Sequence, residues 1–282
     1  MVHHSDLRMP TGRWRLVITQ PAPGAWNMAV DEAILEACGR SEVLPTLRLF
    51  AWDPACLSLG YAQPSDDVDT AELARQGWLL VRRPTGGRAI LHTDELTYSV
   101  IGPAYEPRLA GSVLESYQRL SRALLAALHM LGVPAVATPT PDALENAGSA
   151  GPVCFEVPSN YEITVGGKKL IGSAQARRIE GILQHGSLPL CGDLGRITQV
   201  LNYPDTNRKT EARNRLLARA ATLEEILGHA LPWEAVAQAF TEGFKRALNL
   251  DFIPSDLTPA ERSRTDELVV EKYANPVWTG RV

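Results

Sequence analysis

Residues 152–178, PVCFEVPSNYEITVGGKKLIGSAQARR, constrain the fold more than any other stretch of the chain. YEITV and KKLIGSAQ alternate in character on either side of Gly166-Gly167. A glycine pair between two such runs favours a tight antiparallel hairpin, because the turn needs residues that take φ > 0 without strain. Successive side chains on a strand point to opposite faces. Lys169 therefore shares a face with Ile171 and Ser173, while Lys168 shares one with Leu170 and Gly172. Only one of the two lysines can enter a given cleft, and periodicity does not choose between them. Upstream, Cys154 follows a glycine-, alanine- and proline-rich approach. A cation near it would stabilise its thiolate and lower its pKa from about 8.5 toward neutrality.

The chain around this hairpin has 282 residues, enough for one large domain or two modest ones with a substantial core. A formal net charge of −4 excludes a dedicated duplex-DNA binder, which needs a basic surplus to neutralise phosphates. The opening MVHHSDLRMPTGRW has no apolar core of a signal peptide, and no apolar run is long enough to span a bilayer, so a cytoplasmic protein is expected. Cys38, Cys56, Cys154 and Cys191 stand far apart with no C-x-x-C pair. That spacing suits reduced thiols, not a disulfide framework or zinc site.

Residues 13–19 read as a strand, followed by a helix NMAVDEAILEACG with Asn27 as its N-cap. TLRLFAW, CLSLGY and WLLVRR are further strands, with a short helix stopped by Gly77 between the last two. A Gly-Gly loop in RRPTGGRAILHTDELTYSVIGP then separates WLLVRR from the strands AIL and ELTYSVI. Residues 112–131 give the clearest helix, with capping-box spacing at Ser112 and Glu115. Residues 137–152 read as a long loop leading to Cys154. IEGILQHGSLPL reads as a strand pair bent near Gly186, 202–215 as polar exposed chain, and the remainder as helical. Capping boxes are expected at Thr222/Glu225 and Thr258/Glu261. Hairpins outnumber βαβ crossovers, which favours an α+β fold with mixed or antiparallel sheets and flanking helices.

Free cysteines are commonly small buried hydrophobes. Cys38, Cys56 and Cys191 suit that role, whereas Cys154, after a loop and before a strand bearing cations, is the candidate nucleophile. In RRPTGGRAILH, Gly86 and Gly87 would let backbone approach a ligand closely, and Arg82 or Arg83 would bind a phosphate or carbonyl. The loop is neither a Walker A nor a Rossmann fingerprint. His92 suits a structural role in the core or a contact near that loop.

RRPTGGRAILHTDELTYSV and NYEITVGGKKLIGSAQ together resemble the lipoate-protein ligase A superfamily, whose fold is shared with biotin protein ligases and class II aminoacyl-tRNA synthetase cores. The resemblance runs from about Trp14 to the 190s. It implies a single catalytic domain over 1–282 with a C-terminal helical extension at about 222–282. In the family the lysine immediately before x-x-G-S-A is the essential one, which maps onto Lys169. The cysteine just before F-x-x-P-S-x-Y-E is similar to that of the octanoyltransferases of Gram-positive-type lipoate pathways, and this maps onto Cys154. Ligases of the family generally carry G-G-G-A-V-Y-H-D where this chain reads G-G-R-A-I-L-H-T. The departures at Arg88 and Thr93 favour the transferase.

The resemblance implies that an octanoyl group passes from acyl carrier protein to Cys154 and then to a lysine of the glycine cleavage H protein or another lipoyl domain. Cys154 and Lys169 are expected to meet, with Lys169 holding the carbonyl oxygen. Gly86, Gly87, Arg88, His92, Ser173 and Ala174 are expected to line the substrate pocket together with Arg82 and Arg83. No cofactor or metal is expected beyond the carrier's phosphopantetheine, and no nucleic-acid or membrane partner. Arg82, Arg83, Arg177 and Arg178 are expected to steer the acidic partners. The competing readings are an ATP-dependent lipoate ligase, an amidotransferase from H protein to dehydrogenase subunits, and a non-catalytic acyl-binding module.

Overall fold

A computed structural model describes residues 9–139 and 161–282. Cys154 and the loop before it lie outside the described residues. The strands are β1 (Gly12–Ile18), β2 (Thr46–Phe50), β3 (Cys56–Leu59), β4 (Leu79–Arg82), β5 (Ile90–His92), β6 (Glu95–Gly102), β7 (Val136–Pro139), β8 (Tyr161–Val165), β9 (Lys168–Arg177), β10 (Ile182–Pro189) and β11 (Leu250–Pro254). The helices are α1 (Gly24–Gly39), α2 (Thr70–Arg75), α3 (Val113–Met130), α4 (Thr206–Arg219), α5 (Leu223–Leu227), α6 (Trp233–Leu248), α7 (Pro259–Leu268) and α8 (Pro276–Thr279), with a π-helical turn at Val269–Tyr273.

Eight strands make one sheet in the order β11-β1-β2-β6-β10-β9-β8-β7, and β4-β3-β5 make a smaller one. β1 runs parallel to β11 and β2; the pairs from β2 to β7 are antiparallel. The fold is thus α+β with mixed sheets, as the hairpin pattern implies. α3 and α6 cover one face, where Leu47, Leu49, Leu120, Leu124, Phe240 and Phe244 surround Tyr98. α1 covers the other face, where Val30, Ile34 and Leu35 meet Val17, Ile101 and Leu183. The capping box at α3 forms in full, with the Glu115 N–H donating to Ser112 Oγ and the Ser112 N–H donating to the Glu115 carboxylate at 2.7 Å. Among the described residues no helix is long and apolar enough to cross a membrane.

The central hairpin is in place. Gly166 and Gly167 both take positive φ, and β8 pairs with β9 through one register shift near Ile163. Elsewhere several expectations change. α1 starts at Gly24 after Pro23, three residues before Asn27. Asn27 is fully buried, its amide donates to the carbonyls of Ala22 and Ala51, and its Oδ1 accepts from Arg48 at 2.6 Å. The demand of a buried guanidinium, not a helix terminus, explains that asparagine. Gly186 sits inside β10; the bend lies at Arg178–Gly181, with Gly181 at φ 147°. A Cβ at Gly186 would stand 2.7 Å from the Gly172 carbonyl oxygen and from Tyr98, so glycine serves close packing there. Residues 136–139 form β7, which takes the start of the expected loop into the sheet. The polar stretch 202–215 is mostly helical, with α4 capped by Asp205. The C-terminal part is not wholly helical, because β11 extends the main sheet through β1.

Candidate active site

The Gly-Gly loop leaves β4 and returns in β5, and its shape is set from beneath by Arg83. That side chain is 3% exposed and donates to the carbonyls of Ser58, Gly86 and Arg88 at 2.9, 2.8 and 2.7 Å. Arg82 is fully buried and donates to the carbonyls of Gly60, Gln63 and Thr279. Both arginines therefore hold backbone, and neither presents its charge to a docking protein. Gly60 makes the second constraint: a Cβ there would lie 1.9 Å from the Gly87 carbonyl oxygen. Gly87 itself takes φ +93°, a conformation glycine adopts freely.

Thr85 ties the loop to the main sheet. Its hydroxyl lies 2.6 Å from His185 Nε2, and His185 Nδ1 lies 3.6 Å from Asp31, which pairs with Arg48 at 2.8 Å. Burial pushes the His185 imidazole down, against a smaller opposite pull from Asp31, so it stays neutral at pH 7. Burial alone would raise the Asp31 carboxyl; Arg48, His185 and Ser99 outweigh it and hold the group below the usual range. His92 forms a second knot. It bonds Ser58 Oγ at 2.8 Å and Glu95 at 2.7 Å, and stacks on Trp52 with centroids 3.9 Å apart. Its polar atoms are thus committed to structure, and its ring edge borders a narrow cavity.

Lys169 is 3% exposed, whereas Lys168 is half-buried. The Lys169 ammonium pairs with Glu162 of β8 at 2.9 Å, and its carbonyl accepts from Ala221. This lysine faces a cavity of about 1000 Å³ bordered also by Gly86, Gly87, Arg88, Ser173 and Ala174. The structure so brings together six of the residues expected on sequence grounds. Ser173 and Ala174 also border the narrow cavity of about 20 Å³, with Met28, Trp52, Ile90, His92, Gly172 and Gly186 around it. The two spaces share Ser173 and Ala174 of β9 in their linings. Ser173 Oγ bonds Tyr98 Oη at 2.7 Å, which in turn accepts from Gln184 at 3.1 Å, so the floor between them is held rigidly.

Of the three described cysteines, Cys38 and Cys56 fill the ordinary buried role and Cys191 is half-buried. The Cys38 thiol is pushed up to about 12 and that of Cys56 further, both by burial. Cys191 is raised as well, first by partial burial and then by Asp94 and Glu224. None of them is a ready thiolate. No cluster of metal-binding side chains occurs among the described residues. Sequence reasoning missed Glu162, Thr85, His185 and Asp31, and also Lys272 and Trp278, which close the large cavity from the C-terminal end. The glutamate stood in the quoted Y-E pair; Lys272 and Trp278 carry no local signal.

A mixed sheet with a Gly-Gly loop and a buried strand lysine on one deep cavity defines a lipoate-protein-ligase type of catalytic fold. Residues 23–245 match the lipoyl protein ligase A/B catalytic domain. Relatives named octanoyltransferase LipM include those of Kyrpidia tusciae, 42% identical over 95% of this chain and 98% of the relative, and of Symbiobacterium thermophilum, with the same identity and coverage. Among solved structures, a bipartite lipoate protein ligase from Thermoplasma acidophilum superposes with a TM-score of 0.77 at 25% identity, covering 97% of this chain and 98% of that one. A lipoate-protein ligase A bound with ATP gives 0.76 at 26%, covering 97% and 100%. The chain belongs to the lipoyl protein ligase A/B catalytic-domain family, as an acyltransferase of its octanoyltransferase group acting in lipoate biosynthesis.

Proposed function

We propose that the enzyme takes octanoyl from octanoyl-acyl carrier protein onto Cys154 and passes it to a lysine of the glycine cleavage H protein or another lipoyl domain. The observation that carries this reading is the large cavity on which Lys169, the Gly-Gly loop and the Ser173–Ala174 strand converge. In the first step the Cys154 thiolate attacks the thioester carbonyl. The carbonyl electrons move to oxygen, then return as the carrier thiolate leaves and takes a proton. In the second step a deprotonated acceptor lysine attacks the acyl-enzyme, the Cys154 thiolate departs, and the nitrogen loses its proton as the amide forms. Thioester exchange conserves bond type, and amide formation is downhill, so covalent catalysis needs no ATP or other cofactor beyond the carrier's own phosphopantetheine.

Lys169 would balance charge on the oxyanion in both steps. A trans peptide points its N–H opposite its C=O. Since Arg83 holds the Gly86 carbonyl, the Gly87 N–H faces away from it and offers a second donor for that oxygen. The chain end would enter the narrow space beside Ile90 and Met28, where each buried methylene contributes about 0.8 kcal/mol. Widely spaced cysteines, free in the described part, suit a cytoplasmic setting.

The test is a transfer assay with purified octanoyl-acyl carrier protein and H protein in the absence of ATP. Transfer is expected, and its loss in Cys154→Ala. Activity only from free octanoate with ATP and magnesium would contradict the proposal and point to a ligase. Transfer from octanoylated H protein to dehydrogenase subunits, but not from the carrier protein, would point to the amidotransferase.

A further inference from the structure

α4 departs from the acidic balance of the chain. Its 14 residues, Thr206–Arg219, carry Arg208, Lys209, Arg213, Arg215 and Arg219 against one carboxylate, Glu211. Five of the 28 lysines and arginines thus stand on one short helix of a protein whose formal net charge is −4. The helix is held down by Ala212 and Leu216, which are buried. At 3.6 residues per turn, Arg208, Arg215 and Arg219 fall on one flank, at i, i+7 and i+11, in a row about 16 Å long. The Arg208 and Arg215 side chains are 66% and 49% exposed and reach the same Glu211, at 3.1 and 3.9 Å; Arg219 is exposed as well. Glu211 is itself 52% exposed. Ion pairs so open to water are weak, and a carboxylate from outside can join or displace this one.

The row ends beside the site. Arg219 is followed by Ala220, whose backbone bridges that of Lys169, and the Ala221 N–H donates to the Lys169 carbonyl at 3.1 Å. Leu216 and Ala220 pack in one cluster with Ala89, the residue after Arg88 of the Gly-Gly loop. α4 is therefore packed against the Lys169 strand and the end of the loop, both of which border the large cavity. Arg82 and Arg83 are buried, which leaves the task of meeting an acidic protein to other cations. A protein seated on the arginine row stands one helix diameter, ~10 Å, from the Lys169 strand. A pantetheine arm spans that gap with its thioester in the cavity, whereas a lysine side chain is too short for it.

We infer that the Arg208, Arg215 and Arg219 row of α4 docks the octanoyl carrier protein through an acidic face of that protein, while its pantetheine arm enters the cavity. This rests on the function proposed above. Opposite charges across an exposed contact of this kind speed encounter and fix orientation, and their effect fades as salt screens them.

Calorimetry without turnover tests this with three probes. They are acyl carrier protein bearing octanoyl through an amide in place of the thioester, the corresponding octanoyl-pantetheine amide, and H protein. In Arg208→Gln/Arg215→Gln the carrier is expected to bind about tenfold more weakly at low salt, with the difference shrinking at high salt. The small amide and H protein should bind as they do to the parent, and the small amide also checks that the cavity is intact. Arg208→Lys/Arg215→Lys, which keeps both charges, should restore most of the carrier affinity. Unchanged carrier binding in the glutamine variant overturns the inference. Equal weakening of the carrier and the small amide, persisting in the lysine variant, overturns it too, because the helix would then act through the cavity. Weakening of H protein alone would give the row to the acceptor and overturn it as well. Failure of the proposed function itself appears separately, as absence of octanoyl transfer from a carrier that still binds.

Discussion

At the scale of single residues, Lys169 and Glu162 carry the clearest consequence. Lys169→Met should lower kcat by ~10²–10³, the loss typical of removing one oxyanion donor, with a smaller change in KM. That substitution leaves Glu162 without this partner, so the double variant Lys169→Met/Glu162→Gln is the control, read by steady-state transfer kinetics. An equally large loss there assigns the effect to the missing ammonium; recovery would assign it to the stranded carboxylate. The narrow cavity yields a second expectation. Ile90→Ala should shift the preferred chain from octanoyl toward decanoyl, because two more buried methylenes contribute ~1.6 kcal/mol. Competition between octanoyl and decanoyl thioesters measures it, and an unchanged preference would place the chain end elsewhere.

At the scale of elements, the Gly-Gly loop is shaped by its neighbours more than by its own glycines. A Cβ at Gly60 would collide with the Gly87 carbonyl, whereas one at Gly86 meets nothing within 4 Å. Gly60→Ala should therefore cost activity tenfold or more and lower the melting temperature, while Gly86→Ala should be mild in stability; thermal unfolding and transfer assays on the pair check this. The loop, the hairpin and the α3 capping box were legible, because turn glycines, alternation and caps are local signals; the choice of Lys169 over Lys168 came from the family resemblance and not from periodicity. What escaped reading depends on distant partners. Asn27 looks like a cap until Arg48 is seen to need it, and Gly186 looks like a bend until Gly172 and Tyr98 are seen to crowd it. β11 is only five residues, LDFIP, and its pairing with β1 spans most of the chain. Arg82 and Arg83 read as surface charge because nothing adjacent announces the backbone carbonyls that bury them.

For the whole molecule, the buried polar groups set the response to pH. The Asp31, Glu32 and Glu95 carboxyls are each held low by bonded partners that outweigh burial. A carboxylate with a depressed folded value contributes stability above its unfolded value and loses it as pH falls through the folded one. His185 differs: burial depresses an imidazole, so the unfolded chain binds the extra proton first and stability begins to fall below about pH 6.5. The melting temperature should be level between about pH 7 and 8, decline gently below 6.5 and decline more steeply below about 4.5. His185→Gln should remove the gentle limb alone. An unaltered limb in that variant would mean that another group titrates there.

The proposed function turns on one chemical event, the arrival of octanoyl on the sulfur of Cys154. Intact-mass analysis after mixing the protein with octanoyl-acyl carrier protein tests that event directly. The predicted result is a single octanoyl adduct on Cys154 that hydroxylamine removes and that Cys154→Ala does not form. A protein that transfers octanoyl at full rate without ever gaining that mass, or that gains it equally as Cys154→Ala, would contradict the account.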